Sequence, residues 1–220
     1  MLRRNLLFAI FTLAGITGFS QSNSLGNNDA SAAELAKTVS AKFATYKTVA
    51  IKFSLKVENA QGNITNIQSG TMNMKGKMYK LSFAGQEIFS DGTTVWTYDK
   101  ADKETQITKV DKSSNSITPE KLFSDFYSKD FLYKLNDDSP SNKNIQQIEL
   151  TPRDKTNTYF KVLIDINKNT KNIVGAKIFE KNGNRYVYTI TGFKTNIPIP
   201  ESTFKYDSKA HPNVEIVDLR

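Results

Sequence analysis

The chain has 220 residues, 38% hydrophobic and 24% charged, with 30 Lys and Arg against 22 Asp and Glu for a formal net charge of +8. A chain of about 200 residues with this apolar content is long enough for one domain with its own core. The absence of cysteine excludes a disulfide framework, thiol catalysis, thiolate metal sites and a lipid-modified N-terminal Cys.

At the N-terminus Arg3 and Arg4 precede an apolar run from Leu6 to Phe19, and Gly18-Phe19-Ser20 sets small residues where a signal peptidase reads. This predicts a cleaved signal peptide over 1–20 and export, since a membrane span needs about 20 apolar residues and the run is shorter. No second run approaches membrane length. Residues 21–30 are rich in Ser, Asn and Gly and read as a flexible leader, which leaves 31–220 as the folded domain. Ser31-Ala32-Ala33-Glu34 has the form of a capping box. Leu35, Val39, Phe43 and Tyr46 follow at helical spacing and give that helix an apolar face.

The period then changes to two. Val49, Ile51, Phe53, Leu55 and Val57 alternate with mostly polar residues, the pattern of a long half-buried strand. After a turn at Asn59–Asn63 come strands at Ile64–Met74, Met78–Phe83, Ile88–Ser90, Thr94–Asp99 and Gln106–Val110. Asp91-Gly92 suits a tight hairpin because glycine accepts a positive φ. Ser116–Asp130 interrupts the series with a helix: Thr118 caps, Pro119 takes the first helical position, and Leu122, Phe123, Phe126 and Tyr127 form its aromatic face. Strands resume at Asn144–Thr151, Tyr159–Ile166 and Asn172–Phe179. Asn182-Gly183 is the strongest hairpin signal and returns the chain along Arg185–Phe193. After a proline-rich link at Ile197–Pro200, Thr203–Tyr206 and Val214–Val217 are short final strands. The expectation is mainly β: about eleven strands in an antiparallel sheet that curls, its apolar face covered by two amphipathic helices.

Catalytic apparatus is hard to find. The one histidine, His211, precedes Pro212 in a loop and reads as a solvated side chain. No G-x-S-x-G, P-loop, G-x-G-x-x-G or H-E-x-x-H occurs, and Asp125, Asp130, Asp137 and Asp138 fall in polar segments that read as surface charge. No enzyme activity, metal or cofactor is therefore expected. The positive balance suits anionic membrane surfaces or acidic partners, although scattered lysines most simply make a solvated surface and give no nucleic-acid footprint. The abundance of aromatic residues, 14 Phe and nine Tyr, fits either a plain core or a lined cavity.

Ser90-Asp91-Gly92-Thr93-Thr94-Val95-Trp96-Thr97-Tyr98 resembles the S-D-G-x-x-x-W-x-Y signature of the outer-membrane lipoprotein carrier (LolA) family. Other elements follow in that family's order: a signal peptide, a helix leading into a long alternating strand, Gly70-Thr71-Met72 before Lys75, the Thr118-Pro119 helix, Phe204-x-Tyr206, and Val214-Glu215-Ile216-Val217-Asp218. The resemblance implies a strongly curved, open antiparallel half-barrel with helices covering a concave apolar face. It further implies a periplasmic carrier, for which single-cargo handover needs only a monomer. Such carriers receive acylated lipoproteins from an inner-membrane lipoprotein-releasing ABC transporter and pass them to an outer-membrane acceptor. Typical members carry an arginine beside a proline just after the strand matching Gly70–Met74, which ties the lid to the sheet; here the segment reads Lys75-Gly76-Lys77. The related outer-membrane acceptors are lipoproteins with an N-terminal Cys, absent from this chain.

On this reading Ile51, Phe53, Leu55, Met72, Met74, Tyr79, Leu81, Trp96 and Tyr98 line the acyl-chain site, with Phe123 and Phe126 covering it. A one-residue change of register exchanges Trp96 and Tyr98 for Val95 and Thr97. The alternative function is a periplasmic sensor or regulatory module that binds a lipoprotein or lipid on the same half-barrel without shuttling it.

Overall fold

The computed structural model describes residues 28–111, 128–136 and 142–220. The expected signal peptide, most of the leader, the insertion helix with Phe123 and Phe126, and Asp125, Asp137 and Asp138 lie outside the described residues.

Helix α1 spans Ala30–Ala44 and buries Ala32, Leu35, Ala36 and Val39. Its N-cap is Asp29, not the expected Ser31: the Asp29 carboxylate accepts hydrogen bonds from the Ser31 and Ala32 amides at 2.8 and 3.3 Å. An ionised cap is favoured at the positive end of the helix dipole, which explains the displacement of the expected box by two residues.

Twelve strands form one sheet among the described residues: β1 (Val49–Glu58), β2 (Ile64–Lys75), β3 (Met78–Phe83), β4 (Gln86–Ser90), β5 (Thr94–Asp99), β6 (Glu104–Lys109), β7 (Phe131–Leu135), β8 (Ile145–Pro152), β9 (Tyr159–Asn167), β10 (Ile173–Glu180), β11 (Arg185–Thr195) and β12 (Glu215–Asp218). Their order is β12-β6-β5-β4-β3-β2-β1-β11-β10-β9-β8-β7. The two end strands do not pair with each other, so the sheet is an open half-barrel, as expected. The glycines of the two hairpin signals, Gly92 and Gly183, sit at φ +91° and +92°, where a side chain is disfavoured.

Three features differ from the expectation. β7 is an additional strand, and β12 pairs with β6 in parallel rather than antiparallel fashion. The segment expected as a strand at Thr203–Tyr206 is instead a 3-10 turn over Glu201–Phe204. Pro198 and Pro200 account for the last: two residues without a backbone N–H cannot serve a ladder, and Pro200 leads straight into the turn.

The core lies on the face of the sheet covered by α1, called the inner face below. Ile148, Leu150, Ile164 and Ile166 are at most 1% exposed there, packed with Leu35, Ala36 and Val39 of the helix in one cluster.

Candidate functional site

Directly paired residues of neighbouring strands share a face, so the register places each predicted site residue. Ile51 pairs with Met72 and Met72 with Leu81; Val49 pairs with Met74 and Met74 with Tyr79. Phe53 lies opposite Gly70, and Leu55 opposite Tyr188. Seven predicted residues therefore come together on the inner face: Ile51, Phe53, Leu55, Met72, Met74, Tyr79 and Leu81. The first five are buried to 8% exposure or less. Tyr79 and Leu81, with Phe83, are only partly buried against them.

Trp96 and Tyr98 lie on the opposite, outer face. Trp96 pairs with Phe89 and Phe89 with Lys80, whereas Leu81 pairs with Ile88 and Ile88 with Thr97. Val95 and Thr97 thus take the inner positions. Alternation is ambiguous in a strand with apolar side chains of both parities, and a distant segment resolves it. Residues 196–214 cross the outer face and give these aromatics partners. The Tyr98 ring lies 5.9 Å from Tyr206 and 4.7 Å from His211, and Phe89 lies 5.9 Å from Tyr206. His211 is accordingly not free in solvent: it stacks on Tyr206 at 4.8 Å, with Nδ1 2.8 Å from the Asp207 carbonyl oxygen. Phe204, fully buried, anchors the same segment.

The signature segment works as a turn. The Asp91 carboxylate accepts from the Thr93 amide and hydroxyl and the Thr94 amide at 2.8–2.9 Å. Burial pushes the Asp91 carboxyl up, but those hydrogen bonds outweigh it and hold the pKa below the usual range.

Sequence reasoning missed part of the inner face: Phe83, Ile88, and Tyr186, Tyr188, Ile190 and Phe193 of β11. The period-two run Tyr186, Tyr188, Ile190 was visible, but its pairing with β1 joins residues well over a hundred positions apart. The Phe53 ring stands 5.7 Å from Phe83 and 6.0 Å from Tyr188, forming an aromatic line across four strands, with rings from β3, β1 and β11 and Gly70 of β2 between the first two. Gly70 makes room for it: a Cβ there would fall 2.4 Å from the Phe53 ring. Burial raises the Tyr188 hydroxyl pKa, with Tyr186 and Glu180 adding to the shift, so the line stays neutral.

The inner face is therefore unequal. Toward β7–β10 it is closed by α1 and filled with aliphatic side chains. Toward β3 and β4 it offers Tyr79, Leu81, Phe83 and Ile88 part-exposed, and at β5 and β6 it becomes more polar through Thr97, Thr108 and Gln106. Asp29 fixes the helix to this frame: besides capping α1, its other carboxylate oxygen accepts from the edge-strand amide of Leu135 at 3.2 Å, and its own amide donates to the Tyr133 carbonyl at 2.9 Å. Lys75 does not hold the helix; it pairs with Glu201 at 2.7 Å on the outer face. Among the described residues no group of three His, Asp or Glu is placed to hold a metal ion.

An open antiparallel half-barrel, helix-lidded over an apolar inner face that is filled on one side and part-exposed on the other, defines the structural class. The family profile described as outer membrane lipoprotein carrier protein LolA matches residues 44–207, and the chain belongs to that family. A comparison with curated protein sequences returns no match. Among solved structures, an uncharacterized conserved protein from Thermus thermophilus superposes with a TM-score of 0.57 at 10% identity, covering 86% of this chain and 99% of that one. A LolA superfamily protein from Nitrosomonas europaea gives 0.45 at 14% identity over 80% and 98% of the two chains. The Mycobacterium tuberculosis lipoprotein LppX gives 0.48 at 10% identity over 79% and 99%.

Proposed function

We propose that this protein is a periplasmic, non-catalytic carrier that shelters the acyl chains of lipoproteins against its inner face on their way from an inner-membrane ABC transporter to an outer-membrane acceptor. The observation that carries the reading is the part-exposed apolar surface at Tyr79, Leu81 and Phe83, continuous with the buried ladder of Ile51, Phe53 and Met72. Family membership supports it. Each buried CH₂ contributes about 0.8 kcal/mol, so a multiply acylated N-terminus does not cross water unaided, and a broad apolar face compensates for the water it leaves. Met72 and Met74 add unbranched, adaptable side chains suited to chains of varied length. No proton or nucleophile is required of any residue, and one cargo needs only a monomer.

The test is native mass spectrometry of residues 21–220, which contain every element described above, with a triacylated lipopeptide and its unacylated twin. A one-to-one complex with the acylated form alone is expected. No complex with either overturns the carrier reading and leaves the regulatory alternative.

A further inference from the structure

Two β-bulges at one rim of the sheet each turn a large apolar side chain outward. In β2 the inner positions run Met74, Met72, Gly70, Gln68, Asn66; the register then skips Thr65, and Ile64 pairs with Glu58 on the outer face. In β9 the inner series is Ile166, Ile164, Val162; the register then passes from Lys161 to Tyr159 and leaves Phe160 unpaired. Alternation alone assigns Ile64 and Phe160 to the inside, and a bulge re-aims a side chain. Ile64, Phe160 and nearby Ile67 are 53%, 47% and 58% exposed, three of the five large apolar side chains exposed among the described residues.

They stand among cations. One ladder across the outer face reads Ile64–Glu58–Arg185–Phe179–Lys161, and the next reads Ile67–Lys56–Val187–Lys177–Leu163. Four of these side chains are basic and one acidic: Glu58 pairs with Lys177 at 2.8 Å, and Glu149 of β8, next in the second ladder, lies 4.0 Å from Lys161, which leaves the face with an excess of positive charge. Lys161, Lys177 and Arg185 carry their charges 4.6, 5.5 and 5.7 Å from the Phe179 ring, laid along the apolar surface. The five strands span about 19 Å at the usual interstrand spacing.

We propose that this rim docks on an anionic lipid bilayer, with Ile64, Ile67 and Phe160 entering the headgroup layer and its excess positive charge, led by Lys56 and Arg185, meeting lipid phosphates. Charge complementarity carries the choice of partner. Cations interleaved with projecting apolar side chains match a surface with charge on top and hydrocarbon beneath. An acidic protein surface would match the cations but leave the three anchors without an apolar counterpart. The docking face is opposite the inner face, so the inference stands apart from what the inner face binds.

The test is sedimentation of residues 21–220 with phosphatidylcholine vesicles, with and without phosphatidylglycerol. Binding is expected only to the anionic vesicles, released when salt rises from about 0.1 M to about 1 M and the screening length falls from about 10 to about 3 Å. Lys56→Gln and Lys161→Gln are each expected to weaken it about fivefold, and Ile67→Ser and Phe160→Ser about tenfold. All four side chains lie on the outer face, and near-UV circular dichroism verifies that each variant is folded. Equal binding to neutral vesicles, no binding, or wild-type binding by all four variants overturns the proposal. So does lipid that stays with the protein after salt release, which marks loading of the inner face. Retention on polyglutamate that Phe160→Ser leaves unchanged overturns it in favour of an acidic polypeptide partner.

Discussion

Asp29 divides its carboxylate between two elements, Oδ1 to the first turn of α1 and Oδ2 to the Leu135 amide of edge strand β7. The Leu135 amide, ahead of the Ala32 amide, holds the carboxyl below its ordinary value. A depressed folded pKa contributes stability that is complete above the unfolded value, about 3.9, and is lost as pH falls through the folded one. Amide exchange of Ser31 and Leu135, followed by NMR, is therefore expected to remain protected down to about pH 4 and to open below it. Asp29→Ala should open both amides together at neutral pH; opening of one alone would show that the two contacts are not joined through this side chain. Gly70 poses the opposite problem, since any Cβ meets the Phe53 ring. Gly70→Ala is expected to cost about 1–3 kcal/mol by overpacking, measured by urea denaturation. A smaller ring-free side chain in Phe53→Leu should recover part of that loss in the double variant.

At the scale of elements, β5 shows how a segment can be recognised and still be turned the wrong way. Its hairpin, length and aromatic content were legible, but its facing was decided by residues 196–214, which bring Tyr206 and His211 against Tyr98. What holds that segment is Phe204, fully buried, rather than the exposed Lys75–Glu201 pair. Phe204→Ala is expected to destabilise by about 3–5 kcal/mol, whereas Lys75→Ala should change stability by less than about 1 kcal/mol. Comparable losses from the two in thermal melts would show that the ion pair, not the ring, anchors the arm.

For the whole molecule, one half of the inner face serves as core and the other as candidate site. Ile164→Ala, at a fully buried position, is expected to cost about 2–5 kcal/mol of stability while leaving lipopeptide affinity intact. Leu81→Ser, at the part-exposed side, is expected to lower affinity about tenfold through lost methylene burial with a much smaller shift in melting temperature. A variant pair in which affinity follows stability would mean that the two halves form a single core.

The sequence by itself determined every strand but β7, the span of α1, the Gly92 and Gly183 turns and the apolar alternation of β1, because each follows from residues within one or two turns of chain, although it also placed a strand at Thr203–Tyr206 where the chain makes a 3-10 turn. The same local information reached the seven inner-face residues on β1, β2 and β3, because Ile51, Phe53 and Leu55, Met72 and Met74, and Tyr79 and Leu81 each alternate with mostly polar neighbours. It did not reach Trp96 and Tyr98, the contribution of β11, strand β7 or the outward turns of Ile64 and Phe160. Those depend on register against distant strands and on bulges of one residue, and a one-residue slip exchanges the two faces of a strand. Only the tertiary structure, by setting which side chains find apolar partners across the sheet, decided which face is the inner one.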